Sequence, residues 1–168
     1  MKEVSCRILE MFFRELKKKR LPEGVLIEGV GYSLEHFQDK HERIDWSAFV
    51  LLMRNAERIW TREEITEMGG AWIDSPFLRH IRLISNALFT PKQFYQWLSK
   101  DATTSRSGGM QMFTCVRTTF RDLGPDHLSL DVSLDEGYEH CPAFFLLNKG
   151  GFRDIPRLVG KPRATVET

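Results

Sequence analysis

Leu128-Ser129-Leu130-Asp131-Val132-Ser133-Leu134-Asp135 alternates apolar and polar residues without a break. Successive side chains of a strand point to opposite faces. The stretch therefore predicts a strand with Leu128, Leu130, Val132 and Leu134 on one face and Ser129, Asp131, Ser133 and Asp135 on the other. The preceding run, Met110 to Arg121, reads as its partner, with Met112, Thr114, Val116, Thr118 and Phe120 on one face and Gln111, Cys115, Arg117, Thr119 and Arg121 on the other. Phe113 is the exception. Leu123-Gly124-Pro125-Asp126 supplies the turn between them. A two-stranded hairpin is marginal in water alone, so something must cover its apolar face.

The helical first two thirds of the chain are the predicted cover. Val4, Ile8, Phe12 and Leu16 recur every four residues and predict an amphipathic first helix, ending in the cations Lys17-Lys18-Lys19-Arg20 before Pro22. The run from Leu21 to Tyr32, with Gly24, Gly29 and Gly31, reads as a tight connection. Ser33 can cap a short helix through Phe37. Asp45 is an N-cap for a helix with Trp46, Phe49, Val50, Met53 and Ala56 on its apolar face. Thr61 and Glu64 form a capping box for the next helix, which Met68-Gly69-Gly70 is expected to end. Pro76 opens a helix with Phe77, Ile81, Ile84 and Leu88 in one stripe. Thr90-Pro91 repeats the device, followed by Phe94, Tyr95, Trp97 and Leu98. Lys100 to Gly109 is small and polar and reads as the connection to the hairpin. Beyond the hairpin, Pro142 begins and Gly150 ends an expected buried helix, and Arg163 to Thr168 has strand composition.

The expected fold is therefore α+β: a single domain over 1–168, with five or six helices in 1–100 packed on a small antiparallel sheet, and a hairpin, buried helix and final strand in 110–168. The chain stops without a polar tail, which suggests a piece of a longer multidomain protein. At 168 residues it can bury a sizeable core. Lys and Arg number 24 against 23 Asp and Glu, so a global basic field for nucleic acid is excluded. Apolar runs are far too short to enter a membrane as a span, and Met1-Lys2-Glu3-Val4 does not begin a signal peptide. The cytoplasm is the default compartment. The cysteines Cys6, Cys115 and Cys141 are an odd set at wide spacing, suited to reduced, buried thiols, with no zinc-knuckle spacing.

Two stretches carry a family resemblance. Glu28-Gly29-Val30-Gly31-Tyr32-Ser33-Leu34-Glu35, followed by Arg43-Ile44-Asp45-Trp46, resembles the start of an N-terminal input domain of bacterial signalling proteins. Such domains precede PAS, histidine-kinase or diguanylate-cyclase modules. Phe144-Phe145, Gly150-Gly151-Phe152, Ile155-Pro156, Leu158-Val159-Gly160-Lys161-Pro162 and Ala164-Thr165-Val166-Glu167 resemble its closing segment. The layout is also similar to haem-NO-binding domains, 4-vinyl-reductase-type ligand domains and TRAPP trafficking subunits. The resemblance implies a sensory and dimerisation domain of a two-component or cyclase signal-transduction protein, without catalysis of its own. The haem relatives hold propionates with Tyr-x-Ser-x-Arg. Tyr138-Glu139-His140-Cys141-Pro142 lacks both the Ser and the Arg, and His80, on the helix of Phe77 and Ile81, is a lone histidine of the kind more often at the surface or hydrogen-bonded than an axial ligand, so no cofactor, haem included, is expected.

Candidate residues follow from this reading. Trp97, Phe113, Phe120, Phe144, Phe145 and Phe152 could line a cavity for a small apolar ligand between helices and sheet. Val4, Ile8, Phe12 and Leu16 could meet the same face of a second copy in a homodimer. The resemblance implies a C-terminal kinase or cyclase as output module in the full-length protein. No catalytic residues and no metal ligands are assigned. His140 beside Cys141 is a poor nucleophile–base pair, since neighbours in sequence seldom face each other. Asp131 and Asp135 share a strand face that is most simply solvated. The alternative is a stand-alone ligand-binding or scaffold protein.

Overall fold

Residues 2–74, 89–104 and 112–168 are described by the computed structural model, and they form an α+β fold. The expected helix at Pro76, with Phe77, His80, Ile81, Ile84 and Leu88, lies outside the described residues, as do Met110 and the segment 105–111.

The N-terminal stripe does not form one helix. Val4–Ser5 is a strand (β1), Cys6–Leu9 a 3-10 turn, and only Glu10–Lys19 is α-helical (α1). The reason is ladder bonding on both sides of the chain. β1 pairs antiparallel with Arg43–Ile44 (β2), placing Val4 opposite Ile44. On its other side the Ser5 N–H donates to the Met112 carbonyl at 2.8 Å, and the Thr114 N–H to that of Glu3 at 2.9 Å. Backbone groups satisfied in this way have no need of a helix. Ser5 then accepts from the Arg7 N–H and starts the 3-10 turn.

Most helix starts follow the expected capping chemistry. After a single turn at Gly24–Ile27 (α2), Gly29 and Gly31 take φ of 72° and 80°, a region other residues avoid. Leu34–Gln38 (α3) is capped by Ser33, and Trp46–Ile59 (α4) by Asp45, which accepts from the Ala48 N–H at 2.9 Å. Arg62–Ala71 (α5) opens on the Thr61/Glu64 box, both arms present. Thr90 and Gln93 exchange the same pair of bonds at the start of Pro91–Thr104 (α6). This helix takes in the first part of the expected Lys100 to Gly109 connection.

The glycine pairs do not end their helices. α5 runs through Gly69 and Gly70, and Pro142–Asp154 (α7) runs through Gly150 and Gly151 before a 3-10 turn at Ile155–Val159. The two helices cross at these pairs. A Cβ on Gly69 would stand 1.8 Å from the Leu147 carbonyl oxygen, and one on Gly150 would stand 1.7 Å from that of Thr66. No side chain fits there, so glycine is required for contact rather than for termination.

Val116–Gly124 (β3) and His127–Leu134 (β4) form the hairpin, with Phe120 opposite Leu130 and Val116 opposite Leu134. Burial alternates as expected: Val116, Thr118 and Phe120 are half-buried, and Arg117, Thr119 and Arg121 are exposed. Arg117 pairs with Asp135 and Arg121 with Asp131 across the outer face, which accounts for both carboxylates. Cys115 precedes β3 and is buried, as expected of the thiols, and its carbonyl accepts from the Asp135 N–H. The expected final strand at Arg163 to Thr168 does not form: among the described residues these pair with no strand.

The core lies in two adjoining clusters. The larger gathers α1, α4, α5 and α7 around Phe12, Phe49 and Phe144, with Val116, Val132 and Leu134 of the hairpin against it. The smaller gathers Ile73, Phe94, Tyr95, Ile155, Leu158 and Val159, with Phe120, Leu128 and Leu130.

Candidate functional site

The end of α7 carries a charged group no solvent reaches. Asp154, the last residue of the helix, is fully buried, yet it receives hydrogen bonds from three arginines. Arg153 donates to Oδ2 through Nε at 3.0 Å and Nη2 at 2.8 Å. Oδ1 accepts from Arg157 Nη1 at 3.0 Å and from Arg163 Nε at 2.8 Å. Arg153 also forks onto Glu67 at 2.7 and 3.0 Å, and Arg157 onto Asp74 at 2.9 and 3.0 Å. Burial pushes the Asp154 carboxyl up, but the bonds from Arg153, Arg157 and Arg163 outweigh it and hold the group below the usual carboxylate range. A buried carboxylate is tolerable only with this pairing. Gly70 lets it fit, since a Cβ there would stand 2.2 Å from Asp154 Oδ2.

Beside this cluster stands a half-buried apolar wall. Phe89 and Trp97 from the α6 side, Phe120, Leu128 and Leu130 from the hairpin, and Phe152 from α7 surround the smaller core. Phe94 and Trp97 have ring centroids 5.4 Å apart, and the Tyr95 hydroxyl donates to the Phe152 carbonyl at 2.5 Å. Burial among these groups pushes the Tyr95 hydroxyl well above its ordinary pKa. The six pocket candidates therefore divide. Trp97, Phe120 and Phe152 belong to this wall, while Phe113, Phe144 and Phe145 belong to the larger core, with Phe113 and Phe144 at 4.9 Å. The six thus fall in two clusters, with strands of the hairpin packed against both.

The dimer candidates are corrected by burial. Val4, Phe12 and Leu16 have no exposed surface and Ile8 has 6 %, all inside the core of one chain. The face predicted for a second copy is buried within one chain, in the larger core. Covering it within the chain is what the resemblance and the periodicity could not distinguish from covering it with a partner.

The thiols are inert by position. Burial pushes Cys6 and Cys115 up to about 11 and raises Cys141 as well, so all three stay protonated at neutral pH. His140 stacks on Phe145 at 5.0 Å. Among the described residues no group of His, Cys, Asp and Glu has the arrangement of a metal site. Tyr138, in the segment weighed as a propionate motif, instead donates to the Glu3 carboxylate at 3.2 Å. Glu3, itself buried, also accepts from the Trp46 N–H at 3.0 Å, tying the N-terminus to the start of α4.

The first resemblance stretch closes on itself. The Tyr32 hydroxyl donates to Asp45 Oδ2 at 2.8 Å, and Ser33 and Asp45 cap consecutive helices. Burial raises the Asp45 carboxyl, but bonds from Ser47, Ala48 and Tyr32 override it and bring the group down to about 2. These residues hold the fold. Sequence reading missed the Asp154 cluster. Its only local signal was the spacing Arg153-Asp154 with Arg157 at i+3, which on a surface helix would be an ordinary ion pair. Comparison of the chain with protein-family models, with curated proteins and with solved structures finds no match.

Proposed function

We propose that the chain is a regulatory input domain of a bacterial signal-transduction protein, and that the end of α7 links a site for a small apolar ligand to the C-terminal segment. The ligand surface is the wall of Trp97, Phe120 and Phe152 with Phe89, Leu128 and Leu130. A kinase or cyclase output module in the full-length protein would read the state of residues 160–168. The single observation behind the reading is placement. Phe152 lies in the wall and Asp154 in the arginine cluster, two residues apart on one helical turn. The Arg153 carbonyl between them accepts the Ala164 N–H at 2.9 Å. A shift at the wall therefore reaches the C-terminal segment through one turn of backbone. Homodimerisation belongs to this reading only through a surface other than the Val4 stripe, and the expected compartment is the cytoplasm.

Native mass spectrometry of the protein as purified, beside a denatured spectrum, tests the reading. Extra non-covalent mass supports the ligand site, and a doubled mass supports association. The naphthalene dye ANS is a probe for the wall in protein purified bare. Its fluorescence should rise on binding and fall back in Trp97→Ala. A bare monomer that leaves the dye unbound would sink the proposal.

A further inference from the structure

We propose that residues 161–168 form a releasable strap on helix α7, latched by Arg163. The inference takes its regulatory meaning from the input-domain reading, but the latch is testable without it.

The strap runs back along the helix it follows. Gly160, at φ 70°, turns the chain, and Lys161 N–H donates to the Pro156 carbonyl at 3.0 Å. The Ala164 N–H then bonds the Arg153 carbonyl at 2.9 Å, and Thr168 Oγ1 accepts from Lys149 Nζ at 3.2 Å. The segment is thus tied to α7 at Arg153 and at the Lys149 side chain. Ala164 and Val166 are half-buried, while Arg163, Thr165 and Glu167 are exposed. Burial thus alternates along the segment, with Ala164 and Val166 turned toward the protein. Its side-chain bonds to the body of the protein at Lys149 are exposed and individually weak.

Arg163 is the strong point, and it is redundant for the cluster it joins. Its Nε bonds Asp154 Oδ1 at 2.8 Å, and its Nη2 reaches Glu67 Oε2 at 3.5 Å. If Arg163 leaves, Oδ1 keeps Arg157 and Oδ2 keeps both bonds from Arg153. Glu67 keeps the Arg153 fork. No buried charge is left alone, so release escapes the penalty that breaking a buried pair carries. The Arg163 side chain is also 51 % exposed, against 28 % for Arg157 and 21 % for Arg153, so water can take its place. The geometry therefore separates two arginines that hold the fold from one that holds the strap. Release would uncover the face of α7 at 149–153.

Amide hydrogen exchange on the intact chain, wild type against Arg163→Ala, is the test. The expected result is exchange about tenfold faster at Ala164 and its neighbours, with the α5 and α7 core amides unchanged and the midpoint of thermal unfolding held within about 2 °C. Arg163→Lys should restore part of the protection, since charge survives and the fork does not. As the control, Arg157→Ala should lower global stability, because Arg157 is the less exposed of the two and, among the described residues, is the one cation on Asp74, whereas Glu67 keeps Arg153 when Arg163 is removed. Unchanged exchange at Ala164 in Arg163→Ala would overturn the latch, and so would global destabilisation as large as that of Arg157→Ala. A protein with no ligand by mass spectrometry can still pass this test, so the two proposals fail separately.

Discussion

Replacing Gly150 with alanine sets two physical effects against each other with opposite signs. In an exposed helix interior, alanine is about 1 kcal/mol better than glycine, so propensity alone predicts a more stable protein. At the α5–α7 crossing, however, the new Cβ would lie 1.7 Å from the Thr66 carbonyl oxygen, 2.7 Å from its carbon and 3.1 Å from the Gly70 nitrogen. These are backbone atoms of a packed helix, so no side chain can rotate away. The helices would have to part by about 1.5 Å, loosening Ile65, Met68 and Leu147 in the core. Overpacking that forces side chains and backbone to shift costs about 1–3 kcal/mol, occasionally more. The expected net destabilisation is about 3 kcal/mol, or roughly a 6–12 °C drop in Tm for a chain of this size. Gly151→Ala is the internal control. Its Cβ would meet the Gly69 oxygen at 3.6 Å, an ordinary contact, so propensity should win and stability should hold or rise by up to about 1 kcal/mol. Urea unfolding of the three proteins by circular dichroism gives the comparison, with the slope m watched for departure from two-state behaviour. A Gly150→Ala protein as stable as the wild type would refute the close crossing.

Three further outcomes follow from named groups. Asp154 has its folded pKa below the ordinary value, so its stabilisation is complete above the carboxylate range and is lost as pH falls through the folded value. Asp154→Asn should therefore cost about 3 kcal/mol at pH 7, the low end for a buried pair because its arginines are partly exposed, with the gap to wild type narrowing in acid unfolding below about pH 4. A gap that stays constant down to pH 2 would contradict this. Phe12→Ala, at a position with no exposed surface, should cost about 3–5 kcal/mol in chemical denaturation without altering the oligomeric mass; a change of mass at full stability would return Phe12 to an interface. The three thiols should resist Ellman's reagent at pH 8 in the native protein and titrate fully in denaturant, and rapid native reaction would contradict their burial.

Local chemistry in the sequence determined much of this protein. Ser33, Asp45 and Thr61 with Glu64 each cap the helix they were expected to cap, because a capping bond joins residues three apart and needs no distant partner. The alternation from Val116 to Phe120 and from Leu128 to Leu134 likewise fixed the hairpin and which face turns inward. What the sequence could not decide was which distant group would meet a given residue. Val4 reads as the first turn of a helix by period, and becomes a strand because residues 43–44 and 112–114 arrive on either side. The glycine pairs read as helix ends because glycine is intrinsically poor in helices, and prove to be the contact between two helices some eighty residues apart in sequence. The same holds at Asp154. Its three arginines lie within nine residues of it in the chain, but its burial needs α5, whose Gly70 stands against Oδ2, so a charge group that would be an ordinary surface pair on an isolated helix is withdrawn from water.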